Sequence, residues 1–150
     1  MPYSADMAFI QEQWQDECFP QANCLVLSNG FYCLFDLSYQ HSQLLNKVWM
    51  PALDYQPEQE PDFITTLSRC ADGPQPFYAK GGETAGYGGD GFVALQEKGS
   101  DQLIWLIAFR DTNPFSRVEI QDQHVDAEST SGVRVRIPID RPDQLTLTWP

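Results

Sequence analysis

Leu103-Ile104-Trp105-Leu106-Ile107-Ala108-Phe109 is apolar at every position, a run that a strand tolerates only when both of its faces are covered. It is therefore expected in the middle of the protein. From residue 103 to 149 apolar residues fall on every second position in segment after segment, which predicts an antiparallel meander with strands at 103–109, 115–121, 123–129, 133–139 and 145–149, preceded by one at 92–96. One hairpin can be registered. If Thr130-Ser131-Gly132 is a three-residue loop with Gly132 in the left-handed position, Ala127 faces Val135 and Val125 faces Ile137. On the other face Glu128 then meets Arg134 and Asp126 meets Arg136, exposed pairs worth about 0–1 kcal/mol each, so these arginines are first of all structural.

Working outward, Cys24-Leu25-Val26-Leu27-Ser28-Asn29-Gly30-Phe31-Tyr32-Cys33-Leu34-Phe35 carries the strongest hairpin signal of the first half. Asn-Gly suits a two-residue type I′ turn, in which both central residues need positive φ, and this predicts Val26 opposite Cys33 and Leu25 opposite Leu34. Three short helices are expected before residue 71. The first runs over 4–19, with Ser4 as N-cap and Met7, Ile10, Trp14 and Cys18 at helical spacing before Pro20. Leu44, Leu45, Val48 and Trp49 suggest two turns over 42–49. The third spans 61–70, with Pro61 at its first position, Phe63, Ile64, Leu67 and Cys70 facing inward, and Gly73 beyond its end. The fold class is accordingly α+β: a single domain over 1–150, mainly an antiparallel sheet of about seven or eight strands with short helices in the N-terminal half.

The 150 residues are enough to bury a core without covalent staples. Cys18, Cys24, Cys33 and Cys70 match no zinc spacing. Cys24 and Cys33 fall on one face of the predicted hairpin, diagonal to each other, yet buried thiols are the expectation because the compartment is read as reducing. The opening residues have no basic charge and no apolar core of a signal peptide, and no apolar run reaches membrane-spanning length, so a cytoplasmic protein is expected.

Residues 81–91 hold six glycines, and Gly86-Tyr87-Gly88-Gly89-Asp90-Gly91 matches the dinucleotide fingerprint in form. That motif needs a following helix to hold the pyrophosphate, whereas Phe92-Val93-Ala94-Leu95 reads as a strand. A mobile loop feeding an edge strand is the expectation. His41 and His124 sit in no nucleophile, zinc or phosphate motif, so no catalytic residue, metal or cofactor is assigned, and the protein is read as a non-enzyme.

Charge is the least ordinary feature: 21 acids against 9 bases give a formal net of −12. Such a chain repels nucleic acid and anionic lipid, so a charged partner would be basic. Acids without nearby bases cluster in two places, Glu12, Asp16 and Glu17 on the first helix and Glu58, Glu60 and Asp62 in the acidic loop beyond Tyr55. With Trp14 and Tyr55 as aromatic anchors, these residues are the candidate partner surface.

The C-terminal half resembles small immunity proteins encoded beside bacterial polymorphic toxins and in contact-dependent growth inhibition systems. The residues that carry the resemblance are Leu103 to Phe109, Asp111-Thr112-Asn113-Pro114-Phe115, the charged hairpin, Ile137-Pro138-Ile139, Pro142 and the last alternating strand. What it implies is a cytoplasmic protein that binds one cognate toxin domain, such as a nuclease with a basic cleft, and blocks its active site. The alternatives from composition alone are a soluble acidic binding or regulatory module with another partner, or a small enzyme whose site is assembled in three dimensions.

Overall fold

The computed structural model describes residues 2–19, 23–38, 40, 42–55, 62–84 and 89–150. Its centre is the strand Leu103–Phe109, as the apolar run requires. Among the described residues the chain forms twelve strands and one α-helix in the order α1 (Ser4–Gln15), β1 (Cys18–Phe19), β2 (Cys24–Leu27), β3 (Phe31–Ser38), β4 (Gln43–Pro51), β5 (Asp62–Cys70), β6 (Phe77–Thr84), β7 (Gly91–Glu97), β8 (Leu103–Phe109), β9 (Phe115–Gln121), β10 (His124–Ser129), β11 (Arg134–Pro138) and β12 (Thr146–Thr148). Eight strands make one sheet in the order β1-β5-β6-β7-β8-β2-β3-β4, and four make a second in the order β12-β11-β10-β9. Every pairing is antiparallel. The expected meander is thus broken after β8, which pairs with β7 and β2, while β9 starts the second sheet.

The molecule has three layers. Trp105, Ile107 and Phe109 of β8 point into a core shared with Phe115, Val125, Val135, Ile137 and Leu147 of the second sheet. Leu106 and Ala108 of the same strand point the other way, into a core with Ile10 and Trp14 of α1, Val26, Ile64 and Phe92. A fully buried side chain of this size contributes about 1.5–3 kcal/mol, which is why a strand apolar on both faces can sit only here. Gln11 fastens α1 to the sheet: its Nε2 donates to the Leu103 carbonyl and its Oε1 accepts from the Leu103 N–H, each at 2.9 Å.

The hairpin β10–β11 has the predicted register throughout, with Gly132 at φ +91°. The hairpin β2–β3 is shifted by one residue. Leu25 faces Cys33 and Val26 faces Tyr32, so Ser28-Asn29-Gly30 form a three-residue loop in which only Gly30 has positive φ, +102°. Asn29 instead accepts the Phe31 N–H on its side chain at 3.2 Å. The shift puts Cys24 and Cys33 on opposite faces of the sheet, in different cores, and both are free thiols.

The helices expected over 42–49 and 61–70 are strands β4 and β5. Each is held by its neighbour, β4 by β3 and β5 by β6, and the pattern that fits a helix fits these strands because Val48 and Trp49, or Phe63 and Ile64, go to opposite faces. The first helix ends at Gln15; Tyr3 precedes it without a side-chain cap, and Asp6 is buried and accepts the Leu53 N–H at 2.8 Å. The glycines are not all loop either. Gly81 and Gly82 lie within β6, and β7 is an interior strand whose residues Phe92 to Leu95 are fully buried. A Cβ on Gly82 would collide with the Thr65 carbonyl, and one on Gly81 would lie 2.8 Å from Val118. Glycine lets β5 and β9 approach β6 that closely. Residues 86–88 of the fingerprint lie outside the described residues, and no helix follows Gly91. No helix among the described residues is long and apolar enough to cross a membrane.

Candidate functional site

The α1 helix delivers Glu12, Asp16 and Glu17 to its exposed C-terminal end. There the chain turns sharply: the Asp16 N–H bonds to the Glu12 carbonyl, the Glu17 N–H to the Trp14 carbonyl, and Glu17 adopts φ +55°. The turn is stitched to β5. The Ile64 N–H donates to the Glu17 carbonyl at 2.9 Å, and Cys18 and Phe19 pair with Phe63 and Asp62. The acidic turn at Asp16 and Glu17 is therefore joined to the start of β5, a strand that also carries the exposed side chains of Phe63 (57 %) and Leu67 (49 %). Glu58, Glu60 and His41 lie outside the described residues.

The expected aromatic anchors are elsewhere. Trp14 is buried in the helix-side core, its Nε1 donating to the Asp101 carbonyl at 3.2 Å. Tyr55 is partly buried, edge-on to Tyr32 with ring centroids 5.7 Å apart. Phe63 and Leu67, read from the sequence as the inner face of a helix, are the large apolar groups at this edge. The signal that would have found them is Ile64-Thr65-Thr66, a β-branched run that favours a strand and sends Phe63 and Ile64 to opposite sides.

Beside the acidic turn lies a cleft of about 600 Å³ between the end of α1, strands β5 to β7 and the turn after β7. Lys80 of β6 enters it with Nζ 5.3 Å from the centre of the Trp14 ring. Burial lowers the Lys80 ammonium below the ordinary lysine value; Arg69 adds repulsion, and Asp101 and Glu17 act in the opposite direction. Arg69 stacks on Tyr78 at 4.3 Å and Lys98 approaches the same ring at 5.9 Å. Of the nine bases in the chain, three thus gather on this side of the sheet. Composition hides the cluster, because Lys80 precedes the glycines and strand β6 is invisible to an alternating apolar pattern.

The outer face of the second sheet forms a shallower concavity of about 270 Å³. Its charges satisfy one another as the hairpin register predicts: Arg136 Nη1 lies 2.8 and 3.0 Å from the Asp126 carboxylate oxygens, and Glu128 stands between Arg134 at 3.6 Å and Arg117 at 3.8 Å. His124 is at the end of β10 with Nδ1 2.7 Å from the Asp122 carbonyl. Among the described residues no three His, Cys, Asp or Glu side chains converge as metal ligands. Compared with protein-family models, with curated proteins and with solved structures, the chain matches none.

Proposed function

We propose that this protein is a binding module for a basic partner, and that the partner is a toxin domain whose active site it blocks in the cytoplasm. The toxin assignment follows the resemblance of residues 103–149; the binding mode rests on the α1–β5 edge. What supports it is the joining of the exposed Asp16–Glu17 turn to strand β5, which itself carries the exposed side chains of Phe63 and Leu67. Apolar anchors carry most of the energy of an interface when they are desolvated at its centre, while surrounding charges steer the encounter and fix the partner's sign. A protein with a net charge of −12 gains in rate against a basic nuclease cleft.

The test uses the product of the reading frame adjacent to this one, purified as its toxin domain. Reversing Glu12, Asp16 and Glu17 together to Lys should slow association by about tenfold or more at low salt and flatten its salt dependence. Phe63→Ala should leave the on-rate and speed dissociation. If both variants bind like the unaltered protein while Arg134→Ala or Arg136→Ala abolishes the complex, the interface is the second sheet. If no complex forms and co-expression does not rescue growth, the toxin assignment fails.

A further inference from the structure

We infer that the cleft between the end of α1 and strands β5 to β7 binds a neutral, polyhydroxylated ligand, a sugar or sugar-like polyol, held between the Lys80 ammonium and the Gln96 side-chain carbonyl. Gln96 is only 6 % exposed. Gln96 is among the residues that line the cleft; its Nε2 donates to the Asp101 carbonyl at 3.0 Å, and its buried Oε1 has no hydrogen-bond partner among the described residues. A buried acceptor left unpaired is costly, so such groups mark places where a donor belongs. Lys80 stands on the same face of the neighbouring strand. Tyr78 faces Gln96 and Lys80 faces Ala94, which makes Lys80 and Gln96 a diagonal pair, with Cα atoms roughly 7–8 Å apart. Among the described residues the ammonium makes no ion pair within 4.0 Å; its neighbour is the Trp14 ring.

One cleft therefore presents a donor in want of an acceptor and an acceptor in want of a donor. A hydroxyl group answers both, and adjacent hydroxyls on one ring can span them. Charge narrows the class. Glu17 and Asp101 act on Lys80 in one direction and Arg69 in the other, so two carboxylates stand against two cations and the balance favours neither an anion nor a cation. The hydroxyls of Thr66 and Ser100 line the same space, and about 600 Å³ falls within the range of small-molecule sites. The wall is set before any ligand arrives, because the Asp101 carbonyl accepts from both Trp14 Nε1 and Gln96 Nε2. This site adjoins the proposed partner edge and shares Glu17 with it.

The experiment is a two-dimensional ¹H–¹⁵N titration of the full chain with D-glucose, D-galactose and maltose, and separately with acetamide and inorganic phosphate. The Gln96 side-chain amide and the Trp14 indole N–H are the reporters. At least one sugar should shift both signals saturably, phosphate should shift neither, and Gln96→Leu and Lys80→Met should each weaken the sugar about tenfold or more. Arg134→Ala, on the far sheet, should bind as the unaltered protein does. Should Gln96→Leu not fold, Lys80→Met decides, since Lys80 is partly exposed and outside the core clusters. The inference is overturned if no sugar produces a saturable shift and the cleft holds water only. It is equally overturned if acetamide or phosphate saturates the reporters in place of sugars, or if sugar affinity survives Lys80→Met.

Discussion

Two glutamines show how much the surroundings of one side chain decide. Gln11 has both ends of its amide engaged with the Leu103 backbone, and so joins helix to sheet. Gln96 is more deeply buried, yet only its nitrogen is bonded. Removing a fully paired group strands a backbone donor and acceptor, whereas removing Gln96 loses one hydrogen bond and relieves one unpaired acceptor. Gln11→Ala is therefore expected to lower stability by about 1–3 kcal/mol, and Gln96→Leu to leave it within about 1 kcal/mol or raise it. Urea denaturation of the two variants side by side checks this. A loss for Gln96→Leu as large as that for Gln11→Ala would mean that its carbonyl finds a partner inside the folded protein.

Among elements, β5 and β6 differ most from their local signals. Spacing at 63, 64, 67 and 70 suits a helix and the glycines suit a loop, but pairing of Thr65 with Glu83 and Thr66 with Gly82 commits both segments to the sheet. The β5 strand shifts register between Thr66 and Ser68, and the Ser68 hydroxyl lies 3.2 Å from the Phe115 carbonyl and 3.3 Å from that of Gly81. Close packing of three strands leaves no room for a side chain on Gly82, whose added Cβ would strike backbone that cannot rotate away. Gly82→Ala should thus cost about 3 kcal/mol or more, above the usual range for an overfilled core, because strand β5 itself must move. Gly89→Ala, with open space around it, should change stability by less than about 0.5 kcal/mol. Thermal unfolding of the pair tests the claim, and equal melting temperatures would refute the close approach.

At the scale of the whole molecule, the two cores give the cysteines different fates. Cys24 and Cys33 are buried on opposite faces of the large sheet, while Cys18 and Cys70 are partly exposed. Burial pushes both inner thiols upward, Cys33 to about 11 and Cys24 further. Because their folded values lie above the unfolded value of about 8.5, their contribution to stability is complete below that pH and is lost as pH rises toward about 11. Lys80, whose folded value is lowered, has the opposite sign and gains stability as pH approaches the unfolded lysine value of about 10.4. The thiols, being wholly buried, should dominate. The urea midpoint should fall between pH 8 and pH 10, and the Cys24→Ala, Cys33→Ala double variant should flatten that fall. Iodoacetamide should modify Cys18 and Cys70 in the folded protein and reach Cys24 and Cys33 only on unfolding; early labelling of the inner pair would contradict the burial.

What local chemistry dictates was legible in the chain. A run apolar on both faces has one place to go, so β8 was readable as the centre, and Gly132 with alternating Val125, Ala127, Val135 and Ile137 settled one hairpin to the residue. The formal net charge of −12 was legible too. Local chemistry did not decide which sheet a strand joins, since β8 and β9 are neighbours in sequence but belong to different sheets. Nor could it place the candidate sites. Phe63 stands beside the Glu17 turn only because Cys18 and Phe19 pair with β5, and Lys80 lies diagonal to Gln96 and against the Trp14 ring only because β6 pairs with β7 beneath α1. Such long-range juxtapositions follow from burying two cores at once, a condition on the whole chain that no window of residues contains.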